Sequence, residues 1–151
     1  LPLAGPHELR PLVATRFDEW LGAVSPDGRW LTYFSDESGR MEVYVTPFPD
    51  AGKRWRVSRD GGVYAEWTAG GRELAYHQPT GRIVAVSVGT AGGEPVFGDE
   101  KVVIETEQPR TGRTSFSFTP DGTRFLLFSS EDQPDALLHL VTDWTSLLPH
   151  R

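Results

Sequence analysis

Three times the chain writes a turn followed by an apolar run, and nothing else in it restricts the fold so tightly. Ser25-Pro26-Asp27-Gly28-Arg29-Trp30-Leu31-Thr32-Tyr33 comes first, then Thr68-Ala69-Gly70-Gly71-Arg72-Glu73-Leu74-Ala75-Tyr76, then Thr119-Pro120-Asp121-Gly122-Thr123-Arg124-Phe125-Leu126-Leu127. The turn glycines Gly28, Gly71 and Gly122 stand 43 and 51 residues apart. A unit that recurs at this distance is long enough for four short strands and too short for an independent domain.

The turn has a mechanism. Pro26 and Pro120 preset φ for the first central position of a type I turn, and Asp27 and Asp121 suit the second. The glycine that follows takes the left-handed conformation that sets a hairpin in register. The middle copy lacks both proline and aspartate yet keeps Gly71, the one position where the demand is steric rather than a preference. A repeat of about 40–50 residues built from short strands is the pattern of a β-propeller blade, so an all-β propeller arrangement is the expected fold.

Taken in order, the chain opens with an extended lead-in and an apolar strand at 9–15, which Pro11 restricts to an edge. Blade 1, about 20–58, has strands at 20–25, 30–35, 42–48 and 54–58. Trp30, Thr32 and Phe34 alternate there with Leu31 and Tyr33, so both faces of the second strand carry bulk and it should be buried on both sides. Blade 2, about 63–105, has strands at 63–68, 73–77, 83–88 and 101–105, and the glycine-rich stretch 89–99 reads as a surface loop. Blade 3, about 114–142, has strands at 114–119, 124–129 and 137–142. A short helical turn at 143–148 follows, capped by Asp143, with Trp144, Leu147 and Leu148 on one face.

The third blade is one strand short. If the strand at 9–15 serves as its outer strand, the chain holds three four-stranded antiparallel blades, half of a six-bladed ring. Two routes close such a ring: a second copy exchanging that strand head to tail, or the remaining blades of a longer parent, of which this chain would be a processed or excised piece. At ~40–45 residues per blade, 151 residues cannot make even a four-bladed ring.

A net charge of −6 argues against a nucleic-acid face, which needs a clustered basic surface. The cluster Lys53, Arg54, Arg56 and Arg59 reads as charge guarding an outer strand. With no cysteine, the chain offers no disulfide framework, thiol nucleophile or thiolate metal site. No apolar run reaches the ~18 residues of a spanning helix, so no membrane insertion is expected.

The catalytic readings are weak. Asp27 and Asp121 are adjacent to their glycines, the spacing of a hairpin turn, whereas a sialidase aspartate box places the glycine two residues on. Equivalent turns on successive blades cannot converge on one substrate atom as a carboxylate pair must. No G-x-S-x-G elbow supports a serine hydrolase. His7, His77, His139 and His150 form no paired metal-ligand spacing; His77 and His139 read as partly buried, hydrogen-bonded side chains. Neither metal nor cofactor is expected. Aromatic residues make up 11% of the chain, most of them as filling between blades. Trp20 and Tyr64, near the starts of innermost strands, are the candidates for a ligand face at the ring mouth.

The segments 25–49, Asp60–Trp67 with its D-G-G-x-Y-x-x-W pattern, and 118–128 followed by the Asp143-Trp144 pair resemble the WD-like, TolB-type propeller repeats of bacteria. More narrowly, they are similar to the propeller at the carboxyl end of bacterial membrane-spanning serine/threonine kinases. The resemblance covers nearly all of 9–148 and implies a ring of four-stranded blades, usually six, that serves as a docking or sensing platform without chemistry of its own. It implies a protein or small ligand as partner and an extracytoplasmic location. An accessory, substrate-gating propeller of a serine hydrolase is the alternative, and an excised half-propeller that self-assembles into a ring is a third.

Overall fold

The computed structural model describes residues 11–105, 114–119, 121–129 and 138–142. It is all-β, with twelve strands in three antiparallel sheets among the described residues. The first sheet runs in sequence order through β1 (Glu19–Val24), β2 (Trp30–Ser35), β3 (Glu42–Pro47) and β4 (Trp55–Arg56). The second comprises β5 (Val63–Thr68), β6 (Glu73–His77), β7 (Ile83–Ala91), β8 (Glu94–Phe97) and β9 (Lys101–Ile104). The third is β10 (Thr114–Phe118), β11 (Arg124–Ser129) and β12 (Leu138–Thr142).

Alternation along the strands decides how the sheets pack, because successive side chains leave opposite faces. From the first sheet, Trp30, Val43 and Val45 meet Leu74, Tyr76, Val84 and Val86 of the second in one buried cluster. From its opposite face the second sheet sends Ala75, Ile83, Ala85 and Val103 against Phe116 and Phe125 of the third. The middle sheet is therefore covered on both sides. The first strands of the sheets lie in a row, β5 between β1 and β10.

The expected alternation in β2 holds, and every residue of that strand is buried. Three expectations need correction. Residues 11–15 form an irregular segment rather than a strand, so within the described residues the lead-in completes no sheet; Pro11 withholds a ladder donor at its start.

The stretch 89–99 is no loop. β7 runs on to Ala91, turns at Gly92 and Gly93, both with positive φ, and returns as β8, with Ala91 opposite Glu94. A two-residue hairpin of this kind needs left-handed backbone at both central positions, which the glycine pair supplies. β8 and β9 both pair with β7, so the fourth strand of this sheet comes in two pieces, broken around Gly98 to Glu100.

The outer strand of the first sheet shrinks from the expected 54–58 to Trp55–Arg56. Val57 and Ser58 stay beside β3, where Val57 N–H donates to Val43 O and Ser58 Oγ, in place of a backbone carbonyl, accepts from Val43 N–H. The expected helical turn at 143–148, the strand residues Leu9 and Arg10, and Pro120 lie outside the described residues.

Candidate functional site

The first and third of the repeated turns share a local build, while the middle one is a short 3-10 turn at Ala69–Gly71 closed by Arg72 N–H to Ala69 O at 3.4 Å. Gly28 N–H donates to Ser25 O, and Gly122 N–H to Thr119 O, each at 2.8 Å. Asp27 accepts from Ser25 Oγ at 2.6 Å and Arg29 Nε at 2.6 Å. Asp121 accepts from Thr119 Oγ1 and, at 3.0 Å, from Thr123 N–H. These donors, Ser25 foremost for Asp27 and Thr119 for Asp121, hold both carboxyls at about 2. Each aspartate is thus committed to its own turn.

Between the turns there is contact. A Cβ on Gly71 would lie 3.2 Å from Cδ of Pro26, and one on Gly122 would lie 2.8 Å from the backbone nitrogen of Ala69. Pro26 and Ala69 hold the same repeat position, two residues before the glycine. So each later turn seats its glycine on the turn before it, and the turns form a ladder along one rim. All three glycines have positive φ, between 71° and 87°. Gly28→Ala meets only that backbone penalty, about 1 kcal/mol, since nothing lies within 4 Å of its Cβ position. Gly122→Ala adds a collision with backbone and is expected to cost at least about twice as much, with Gly71→Ala between. Urea denaturation of the three variants checks the order.

The first strands carry the aromatic candidates. In β1 a bulge falls between Trp20 and Ala23, and in β5 between Val63 and Glu66. Counted from the turn glycine, these are the same positions. Each bulge sets one extra residue into the ladder and re-aims the local side chains. The bulge in β5 puts Tyr64 at φ 53°, an unusual conformation for a bulky residue, with 46% of its surface exposed. Its ring sits 5.6 Å from Phe34 and 6.2 Å from His77. The line of rings continues through Phe116, 4.8 Å from His77, to Phe118 and Phe125, and so crosses all three sheets.

Trp20, 56% exposed, borders something else. With Leu12, Val13, Glu19, Gly22, Leu31 and Tyr33 it lines an open cleft of about 320 Å³ on the outward side of the first sheet. The structure therefore does not bring Trp20 and Tyr64 into one site.

His77 is buried, more fully than the sequence suggests, and its Nε2 has no hydrogen-bond partner, contrary to expectation. Burial alone holds the imidazole at about 4. The folded value lies below the unfolded one near 6.5, so the stability tied to neutral His77 is complete above about pH 6.5 and is lost as the pH falls toward 4. Over that window wild type is expected to lose about 3 kcal/mol that His77→Leu does not lose. Urea midpoints of the pair at pH 7.5 and 4.5 measure it.

Acidic side chains missed in the sequence do the joining between sheets. Glu42, fully buried, accepts from Arg40 Nε at 2.7 Å, from Gly61 N–H at 3.0 Å and from Ser58 Oγ. Glu100 accepts from Tyr76 Oη at 2.5 Å, Gln78 Nε2 at 2.8 Å and Arg59 N–H at 3.3 Å. Glu66 in β5 accepts Phe118 N–H at 3.3 Å, and burial raises its carboxyl above the usual range. Trp67 Nε1 in turn donates to Ala23 O at 3.0 Å, tying β5 to β1. The only sequence signal for Glu42 and Glu100 is an acid placed where a strand begins, and Glu66, inside β5, carries none.

The basic cluster is largely matched by acids: Lys53 with Glu94, Arg54 with Glu37, Arg59 with Asp99. Among the described residues no three His, Asp or Glu side chains gather as a metal site, and no helix is long and apolar enough to cross a membrane. Compared with known protein families and with curated proteins, the chain matches no family model and no curated protein.

Proposed function

We propose that the three sheets are blades of a β-propeller and that the chain is a non-catalytic module that binds a protein or a small ligand at the first-strand side. The ladder of turns carries this reading: Gly71 on Pro26 and Gly122 on Ala69 are the same contact repeated, as a ring of equivalent blades requires. The row β1, β5, β10 supports it, since the first strand of each blade lines the axis.

Tyr64 is the residue assigned to the ligand. Strained backbone, partial exposure and a ring held between Phe34 and His77 are features that persist where a side chain must be presented. In Tyr64→Gly the relief of φ strain offsets the lost ring contacts, so stability is expected to change by less than about 1 kcal/mol.

The test is a nuclear magnetic resonance titration of labelled protein with panels of short peptides and of oligosaccharides. The reading expects saturable shifts centred on Phe34, Tyr64 and His77 for at least one panel, abolished in Tyr64→Gly. Saturable shifts confined to another part of the surface would contradict it.

A further inference from the structure

We infer that the outward face of the first sheet is a docking face for the third sheet of a second copy of this chain. The inference rests on the blade reading above. Its warrant is a junction that occurs twice inside the chain and is left open at the front.

Consider the positions four residues before and three residues after each turn glycine. In the second sheet these are Trp67 and Leu74, and both pack against the first sheet. In the third they are Phe118 and Phe125, and both pack against the second. In the first sheet they are Val24 and Leu31, which oppose each other across β1 and β2 and so share a face. No sheet of the described residues covers that face. Val24 is 43% exposed, Leu31 borders the open cleft, and the Cβ position of Gly28 meets nothing within 4 Å, where Gly71 meets Pro26. Leu12 and Val13 border the cleft without closing it.

The other end of the stack offers the complement. Leu126 holds the repeat position of Ala75, which faces the third sheet from the second, and Leu126 is 36% exposed. In sequence the third turn, Thr119-Pro120-Asp121-Gly122, nearly copies the first, and it has proline at the position on which the next glycine sits. In the pair Gly28 would lie against the third turn of the second copy as Gly71 lies against the first turn. Such a contact is heterologous, and it closes when the second copy's front meets the first copy's back.

Sedimentation velocity over a dilution series tests this with Val24→Glu and Leu126→Glu. Both residues are exposed in the single chain, so each variant is expected to keep the wild-type circular dichroism spectrum and melting midpoint. Wild type is expected to form a two-chain species at high concentration. Each variant should weaken that association on the order of 100-fold, because an unpaired carboxylate would be buried. An equimolar mixture of the two retains one unaltered junction and should regain a one-to-one pair.

A wild-type chain that stays single at every concentration overturns the inference, as do variants that associate like wild type. A chain lacking residues 1–15 should associate at least as well; loss of association on that deletion would place the contact in the lead-in and also overturn it. Failure here is separable from failure of the blade reading, which Leu74→Ala and Leu31→Ala address within the single chain.

Discussion

Leu74→Ala is expected to cost about 3 kcal/mol, whereas Leu31→Ala, the same substitution at the same repeat position, is expected to cost only about 1. Leu74 has no exposed surface and stands between Trp30, Val43 and Val45 on one side and Tyr76 and Val84 on its own sheet. Truncating it leaves a void enclosed by two sheets, and such a void adds its own penalty to the lost transfer energy. Leu31 is nearly as well buried, but it borders the open cleft, so its neighbours can settle and water can fill the space. Phe125→Ala, fully buried at the second junction, belongs with Leu74, at about 4 kcal/mol. Denaturant unfolding of the three variants checks the series. Equal costs at Leu31 and Leu74 would mean that the two faces of the first sheet are equally enclosed.

Glu42→Ala should be nearly as damaging, by about 3 kcal/mol, although no hydrophobic contact is at stake. The carboxylate collects Arg40, Ser58 and Gly61, and Ser58 Oγ also accepts Val43 N–H at 2.8 Å. That set pins the segment passing from the first sheet to the second. With the acceptor removed, the Gly61 N–H and the buried Ser58 hydroxyl lose their partner in a place water does not reach, while Arg40, half exposed, can turn to solvent. Glu42→Gln keeps an acceptor oxygen and is expected to recover about half of the loss. The same unfolding experiment measures both, and a loss in Glu42→Ala below about 1 kcal/mol would show the network to be ornamental.

Much of this was legible in the sequence, for a physical reason. The strands before and after each turn are short, apolar and bounded by glycine or proline, and β2, β5, β6 and β11 fall at the expected residues. Steric demand made Gly71 readable even without its proline and aspartate. What escaped depends on pairing rather than on local preference. Gly92 and Gly93 read as loop when counted with the surrounding glycines, yet as a pair they are a hairpin signal. The lead-in looked like a strand because apolar residues cluster there, but a strand needs a partner edge, and residues 11–15 pair with none among the described residues.

The candidate site was half legible. Trp20 and Tyr64 stood out as aromatics near strand starts, and both are exposed. The bulges on which they lie were hidden, because one extra residue in a ladder leaves no mark in composition. Glu42 and Glu100 were hidden as well, since a buried acid is told from a surface acid only by the donors that the fold brings to it.

The second and third turns each seat their glycine on the turn before. The most direct measurement is the set of nuclear Overhauser contacts at those glycines in the folded chain. Strong cross-peaks are expected from the Gly71 α-protons to the Pro26 δ-protons, and from the Gly122 α-protons to Ala69, with none from Gly28 to a residue outside its own turn at high dilution. A well-dispersed spectrum in which Gly71 and Gly122 show contacts only within their own turns would contradict it.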